Sequence, residues 1–227
     1  AGVAAFRMGT GLVTIALPEN LYHRYHPEHP SLIIRPFANL DELITIMEKT
    51  TAVIFGPGID INNPQNNVIL EFLLNQKVPL LIDAGGLDIL KQIDLTKYQN
   101  RDFVFTPHLG EAKRLLDGKE PAVNYQSLIY QQNVLVLKGS VTIIANHQQS
   151  FLADRGSNAM AKAGMGDVLS GMIGALLAQG YSSLDAAKLG VYLHQSAARI
   201  AVQEIGDISL MSEDVINAIP KAIKELR

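Results

Sequence analysis

Residues 79–116 read PLLIDAGGLDILKQIDLTKYQNRDFVFTPHLGEAKRLL and contain two successive strand–helix units. The short apolar run 79–82 is followed by Asp83 and then by a helix-like segment at 86–92. The run 103–105 is followed by Thr106 and Pro107 and then by a helix-like segment at 110–116. Such runs are typical of strands that are buried on both faces, as in a parallel sheet covered by helices. This stretch therefore predicts an α/β fold.

The same alternation extends on both sides of this stretch. Further strands are predicted at 12–17, 52–55 and 134–137, and further helices at 40–49 and 64–75. The C-terminal part predicts a hairpin and then helices, at 141–145, 150–153, 165–179, 184–204 and 212–226, with Pro220 expected to kink or end the last helix. We expect a three-layer α/β/α domain, with a mostly parallel central sheet flanked by helices on both faces.

Composition limits the classes of protein and partner. The chain has 227 residues, of which 48% are hydrophobic, enough for the core of a single domain over residues 1–227. A net charge of -3 without a basic run argues against nucleic acid as a partner. The absence of cysteine excludes disulfides and thiol catalysis, and no apolar run is long enough to span a membrane. These features predict a soluble, cytoplasmic protein.

The first residues have the pattern of a helix that leads into a strand, and the chain does not begin with Met. This pattern predicts that the chain starts partway through a domain. We therefore expect the domain to lack its N-terminal strand and loop.

Several polar or glycine-containing segments follow directly after the predicted strands. They are the turn Gly56-Pro57-Gly58, then Asp83, the block Thr106-Pro107-His108-Leu109-Gly110-Glu111, and Lys138-Gly139-Ser140. In open α/β sheets, ligands bind outside the carboxyl ends of the strands. Neighbouring parallel strands would thus bring these segments together at one edge of the sheet.

A second stretch, residues 156–180, reads GSNAMAKAGMGDVLSGMIGALLAQG and joins a polar loop to an apolar helix. Free N–H groups in the first turn of a helix suit a phosphate, and Gly164 and Gly166 allow the main chain to approach it closely. An acid beside a bound phosphate is electrostatically costly, so Asp167 indicates a further role as a base that takes a proton from a substrate hydroxyl. The alternative is an ordinary N-terminal Asp on a core helix.

The combined blocks resemble one family. Thr106 to Glu111, Val136-Leu137-Lys138-Gly139 with Thr142, and Asn158 to Asp167 with the helix after it are similar to the NAD(P)H-hydrate dehydratases of the ribokinase-like superfamily. The resemblance covers nearly the whole chain. It implies a ribokinase-like fold and a lyase that removes water from hydrated NADH or NADPH, with Mg²⁺ and ADP or ATP as phosphoryl donor.

The resemblance also implies roles for individual residues. Asp167 corresponds to the catalytic aspartate, which also contacts the substrate, and Gly166 to the glycine whose N–H faces the nucleotide phosphate. The nucleotide loop corresponds to Lys138, Gly139, Ser140, Val141 and Thr142, beside the phosphate turn with Gly164. Gly58 and His108 correspond to positions that line the hydrated nicotinamide nucleotide. No residue is assigned to a metal.

The chain differs from the family pattern at two places near these residues. Lys162 stands where the family commonly has Thr, and its charge would either help to neutralise a phosphate or be solvated. Asp83-Ala84-Gly85-Gly86-Leu87 stands where Asp-Ala-Asp-Ala-Leu is common, so no role transfers to the second acid.

Membership in this family further implies partners. A homo-oligomer, commonly a tetramer in this family, is expected, as is an NAD(P)H-hydrate epimerase that is fused or separate.

Two other functions stay open at this point. The glycine turn fits equally well a ribokinase-like kinase of a vitamin precursor of the hydroxymethylpyrimidine or hydroxyethylthiazole type, although the Thr-Pro-His-x-Gly-Glu block favours the dehydratase. The second alternative is a nucleotide-binding protein without catalysis. His23, His26 and His29 match no metal-ligand signature, and we interpret them as part of a solvated loop.

Overall fold

A computed structural model describes residues 1–24, 29–98, 101–130 and 132–226. Within these ranges, two sheets are formed by the strands β1 (Thr14–Pro18), β2 (Ile33–Phe37), β3 (Val53–Phe55), β4 (Leu80–Ile82), β5 (Val104–Phe105), β6 (Val134–Leu137), β7 (Thr142–Ala145) and β8 (Ser150–Ala153). The larger sheet has the order β3-β4-β5-β6-β7-β8. Its strands β3 to β6 are parallel, whereas β7 and β8 run antiparallel to their neighbours.

The α-helices follow the predicted alternation with small shifts at their ends. They are α1 (Gly2–Arg7), α2 (Glu19–Tyr22), α3 (Leu40–Met47), α4 (Gln65–Leu74), α5 (Gly85–Leu90), α6 (Leu109–Leu115), α7 (Pro121–Asn124), α8 (Met165–Ala178), α9 (Ser183–Ile205) and α10 (Ser212–Leu226). The last helix continues through Pro220, so a helix end at that residue is not observed. Its buried side chains, among them Val215 and Ile219, hold it against the core.

Two hydrophobic cores lie on opposite faces of the large sheet. Because side chains alternate along a strand, Leu81 faces one core whereas its neighbours Leu80 and Ile82 face the other. The first core includes α1, α8, α9 and α10, and the second includes α3, α4, α5 and α6. The predicted mostly parallel sheet with helices on both faces is thus confirmed.

The strand pairing differs from the prediction at the N-terminal end. The sequence places the segment 12–17 in the alternating series, but β1 pairs in parallel with β2 in a separate two-stranded sheet. The sequence interpretation missed β2 because Arg35 and Pro36 interrupt its apolar run. Both residues are exposed, and proline is tolerated in such small, edge-forming sheets.

Helix α8 is buried on nearly all sides, which explains its small residues. A Cβ at Gly174 would lie 2.6 Å from Ile54 Cδ1, and one at Gly190 of α9 would lie 2.6 Å from Ile173 Cγ1. These glycines therefore allow α8 to pack closely on β3 and α9. Within the described ranges, no helix is both long and apolar enough to cross a membrane.

Candidate functional site

The carboxyl ends of β3 to β6 and the N-terminus of α8 meet at one edge of the sheet. Asp83 follows β4, Lys138 follows β6, and Ser170 lies one turn into α8. Ser170 Oγ donates a hydrogen bond of 2.6 Å to Asp83 Oδ2. The glycine turn before α8 is thereby brought to the same edge as the predicted strand-end segments.

A buried ion pair lies beneath this turn. Lys138 Nζ donates to Asp83 Oδ1 at 2.8 Å, and the side chain of Asp83 is only 2% exposed. Burial by itself would raise the pKa of Asp83, but the Lys138 ammonium and the hydrogen bonds from Lys138 and Ser170 hold that pKa below its ordinary value. The buried Thr106 hydroxyl adjoins this carboxylate without a hydrogen bond of good geometry. Asp83 therefore stays charged and fixes the position of the lysine.

The turn at the start of α8 is open to an anion. Gly164, at φ +83°, precedes the helix and supplies no side-chain cap, so the first N–H groups depend on other acceptors. Among the residues described, none accepts from the N–H of Gly166 or Asp167. A Cβ at Gly166 would lie 3.1 Å from Lys138 Nζ, which places the positive charge directly beside the turn. This arrangement suits a phosphate group.

Asp167 lies in the first turn of α8 and is half-buried. Its carboxylate makes no hydrogen bond or ion pair with any described residue. A carboxylate that is fixed by a buried helix and lacks a protein partner is available to accept a proton from a ligand.

The predicted nucleotide loop joins β6 to β7. Gly139, Ser140 and Val141 are exposed, whereas Thr142 is buried as the first residue of β7. A Cβ at Gly139 would lie 3.8 Å from Leu109 Cδ1, so this loop adjoins the start of α6. The structure thus brings this loop and the glycine turn together through Lys138.

His108 caps helix α6. Its Nδ1 accepts hydrogen bonds from the N–H groups of Gly110 and Glu111 at 3.0 and 3.2 Å, while Glu111 Oε2 accepts from the His108 N–H at 2.7 Å. Because Nδ1 is an acceptor, the neutral ring must carry its proton on Nε2. The backbone of Lys138 donates to the Pro107 carbonyl at 2.8 Å, so the exposed His108 is tied to the strand that carries the lysine.

The turn at 56–58 closes over the end of β4. Gly56 has φ +121°, and a Cβ there would overlap the Asp83 carbonyl oxygen and crowd Gly86. Gly58 has φ +74° with no atom within 4 Å of a Cβ, and it is exposed. The first glycine is therefore required by packing, whereas the second is required only by its backbone conformation.

These two glycines give a matched pair of variants. Gly56→Ala is expected to lower the free energy of unfolding by about 2 to 3 kcal/mol, because it combines backbone strain with a clash against main chain. Gly58→Ala should cost only about 1 kcal/mol, since it adds strain without a clash. Urea denaturation of both variants measures the difference, and equal losses would contradict the packing requirement at Gly56.

Lys162 is exposed and makes contacts that the sequence did not suggest. Its Nζ donates to the backbone carbonyls of Ile208 and Leu210 at 2.6 and 2.7 Å, in the segment between α9 and α10. It therefore joins two loops at the start of α8 and α10.

His194 is a buried residue of helix α9. Burial, with the nearby Lys138 charge, lowers the pKa of His194 to about 4 from 6.5. Its Nε2 has no hydrogen-bond partner among the described residues. His194 is thus a neutral packing residue, in agreement with its position in a helical sequence pattern.

This burial makes the stability dependent on pH. Between pH 6.5 and 4 the unfolded chain takes up a proton that the folded His194 does not, so the free energy of unfolding falls on acidification, by roughly 3 kcal/mol in total. His194→Leu is expected to flatten this part of the profile. Urea denaturation from neutral to acidic pH checks it, with exposed His147→Gln as the control; an unchanged slope in His194→Leu would contradict the assignment.

Sequence reasoning assigned Lys138 to the site but gave no role to Asp83 or Ser170, which contact each other there. Asp83 was visible as an acid after a strand, but its pairing with Lys138 and Ser170 was not, because neither partner is near in sequence. Of the three histidines at 23, 26 and 29, His26 lies outside the described residues. Across the described part of the chain, no three histidine or acidic side chains come together as a metal site.

Comparison with known proteins identifies the family of the chain. The model of the NAD(P)H-hydrate dehydratase family matches residues 1–221. The chain is 36% identical over 225 residues to the bifunctional NAD(P)H-hydrate repair enzyme Nnr of Coxiella burnetii, covering 95% of this chain and 45% of that protein. The chain thus spans slightly less than half the length of the curated relatives that it matches first.

Solved structures give the same result at the level of the fold. The ADP/ATP-dependent NAD(P)H-hydrate dehydratase from Bacillus subtilis, co-crystallized with ATP/Mg²⁺ and soaked with CoA, superposes with a TM-score of 0.83 at 27% identity, covering 100% of this chain and 85% of that one. A ribokinase-like superfamily protein from Enterococcus faecalis gives 0.82 at 26% identity, covering 99% and 80%. The predicted ribokinase-like fold is confirmed, and the chain belongs to the NAD(P)H-hydrate dehydratase family.

Proposed function

We propose that this chain dehydrates hydrated NADH or NADPH at the expense of ADP or ATP and so repairs the nicotinamide cofactor. One observation carries the proposal: the Asp167 carboxylate, without a partner in the described protein, stands in the first turn of α8 beside the free N–H of Gly166 and the Lys138 ammonium. An anion site with a base next to it suits transfer of a phosphoryl group to a hydroxyl.

The nucleotide would bind with its terminal phosphate on the turn at Gly164 and Gly166. Lys138 supplies positive charge next to this turn, and its ion pair with Asp83 keeps the ammonium in place before the nucleotide arrives. The exposed residues 139–141 and the hydroxyl of Thr142 would line the rest of the nucleotide. Preorganised charge of this kind is worth more than flexible charge, because no reorganisation is needed during the reaction.

Mg²⁺ fits this site as an ion that is carried by the nucleotide. The described residues form no cluster of three acidic or histidine side chains, and Asp83 and Glu111 are already engaged with Lys138 and His108. Mg²⁺ typically takes phosphate oxygens and water, with one or two carboxylates. The nucleotide phosphates and water would therefore hold the ion, and Asp167 stays available to accept the proton. When bound, the ion neutralises charge on the transferring phosphoryl group.

In the reaction that we propose, Asp167 accepts the proton of the hydrate's hydroxyl, whose oxygen attacks the terminal phosphorus of the nucleotide. A phosphorus–oxygen bond forms to the hydrate as the bond to the leaving nucleotide breaks. The lone pair of the ring nitrogen then expels inorganic phosphate from carbon, and loss of a proton from the neighbouring carbon restores the reduced nicotinamide. Phosphate is a far better leaving group than hydroxide, so the nucleotide makes the elimination feasible.

The hydrated nicotinamide would lie between Asp167 and the segments that carry Gly58 and His108. Gly58 is exposed in its turn, and the exposed His108 ring is fixed by its contacts with α6, through Nδ1 as the cap and through Nε2, which lies 3.5 Å from Glu111 Oε1. His108 is therefore suited to position the substrate, while Asp167 acts as the base.

The test is the near-ultraviolet absorbance of the reduced nicotinamide ring after the protein is mixed with purified NADH hydrate, Mg²⁺ and ADP or ATP. A rise that requires nucleotide supports the dehydratase and identifies its phosphoryl donor. Stable phosphorylation of a vitamin precursor without this rise would instead indicate a kinase. Nucleotide binding without turnover of either substrate would indicate a binding protein.

The organisation of the whole protein belongs to the same proposal. Relatives in this family carry the name of bifunctional repair enzymes and are about twice as long as this chain. We propose that an NAD(P)H-hydrate epimerase, fused or separate, supplies the second activity. A homo-oligomer and a single domain over residues 1–227 stay predictions.

A further inference from the structure

Lys162 links two loops that are far apart in sequence. Its ammonium donates to the carbonyls of Ile208 and Leu210, and the Leu210 residue is fully buried. The same two loops also touch at Gly164, where a Cβ would lie 2.9 Å from Ser212 Oγ. The segment before α10 is thus fixed against the segment before α8 at two adjacent points.

The backbone of Lys162 belongs to the turn that precedes α8. Its N–H donates to the Met160 carbonyl at 2.9 Å, and its carbonyl accepts from the Met165 N–H at 3.4 Å. The hydrogen bonds of the Lys162 side chain therefore also restrain the start of α8, whose free N–H groups would receive the phosphate.

The chemistry at the Lys162 head group is that of a cation among carbonyl oxygens. Backbone carbonyls only accept hydrogen bonds, and two that face one point repel each other unless a donor or a cation lies between them. Rings of such oxygens bind monovalent cations in proteins. Among the described residues no carboxylate forms a salt bridge with Lys162, so its charge is not cancelled by an acid.

We propose that the Lys162 ammonium acts as a built-in monovalent cation, which holds the segment before α10 against the phosphate turn and thereby positions that turn for the nucleotide. This role rests on the proposed function, because it concerns the same nucleotide site. It makes Lys162 a positioning residue.

Two consequences follow for binding. The wild-type protein should bind nucleotide independently of the monovalent cation in solution, because its own ammonium fills the site. Lys162→Ala should leave the two carbonyls facing an empty space that K⁺ or NH₄⁺ can occupy. The large tetramethylammonium ion donates no hydrogen bond and should not serve.

The experiment measures MgADP and MgATP affinity by titration calorimetry at one ionic strength in tetramethylammonium, potassium or ammonium chloride. In tetramethylammonium chloride, Lys162→Ala should bind about 10-fold more weakly than wild type, as expected for lost hydrogen bonds from a charged donor. Potassium or ammonium should restore most of this loss. Lys162→Thr should behave in the same cation-dependent way.

Lys221→Ala is the matched control, because this exposed lysine pairs with Glu204 and so joins α10 to α9 away from the turn. It should bind nucleotide like wild type in every salt, and thermal melting verifies that all variants are folded. Undiminished affinity of Lys162→Ala in tetramethylammonium, or a loss that no cation restores, would overturn the cation role alone. Failure of wild type to bind either nucleotide would overturn this role and the proposed function together.

Discussion

Asp167→Asn is expected to reduce turnover of the hydrated cofactor by about 10³-fold, in the range of a lost general base. The amide has nearly the same shape as the carboxylate but cannot accept the hydroxyl proton. Because Asp167 has no partner among the described residues, the substitution breaks no contact within the protein. Nucleotide affinity should therefore change by less than about threefold, since the N–H groups and the Lys138 charge are untouched.

Turnover is followed by the absorbance of the reduced nicotinamide, and nucleotide affinity by calorimetry. Asp185→Asn serves as the matched control, because Asp185 is also an acid in the first turn of a long helix, α9, but is paired with Ser182 and lies outside the site. It should retain full turnover. Full turnover by Asp167→Asn would remove Asp167 from the role of base, and a parallel loss of nucleotide affinity would assign it to binding instead.

Lys138→Met is expected to produce the largest loss of stability, about 3 to 5 kcal/mol at neutral pH, because it leaves the buried Asp83 carboxylate without its cation. Asp83→Asn should cost less, since Lys138 is 20% exposed and its ammonium can reach water. The double variant Asp83→Asn/Lys138→Met should recover most of the stability, because Ser170 can still bond to the amide. It should not recover nucleotide binding, which requires the lysine charge.

The free energy of unfolding should depend on pH with opposite signs in wild type and in Lys138→Met. In wild type the lowered pKa of Asp83 contributes stability above the ordinary value of 3.8, and this contribution is lost as the pH falls through the folded-state value. In Lys138→Met, burial without the cation raises that pKa, so the variant should lose stability as the pH rises from acid to neutral.

Urea denaturation of the four proteins at acidic and neutral pH completes the double-mutant cycle. Additive losses in Asp83→Asn/Lys138→Met would contradict the ion pair as the source of the effect. Nucleotide binding by the double variant would contradict the role of Lys138 at the phosphate turn.

Local sequence determined most of the framework. The apolar runs at β3 to β6 are short and bounded by polar or glycine residues, and each forms a strand of the parallel sheet. Such a continuous apolar run suits a strand that is covered by helices on both faces. The helix starts are equally local: the free N–H groups of α6 are satisfied within four residues by His108 and Glu111. Such features depend on neighbours along the chain, so they can be interpreted before any tertiary contact is known.

Elements that depend on partners far away in the sequence could not be predicted from local sequence patterns. Strand β2 contains Arg35 and Pro36, and it forms because β1 offers it a parallel edge rather than because its pattern favours a strand. That the polar segments after β3 to β6 would meet was predictable from the order of the strands, since the carboxyl ends of parallel neighbours share one edge. Which side chains would contact each other there was not.

The α/β class, the edge at which the strand-end segments meet and the acid at the start of α8 could thus be inferred from local sequence. The contact of Lys138 with Asp83, 55 residues away, and that of Ser170 with Asp83 across 87 residues arise from packing of the folded chain. The same holds for Lys162 and the carbonyls of the segment before α10. The physical reason is that hydrogen bonds and ion pairs are satisfied by whichever groups packing brings within reach, and a single sequence records no distance between them.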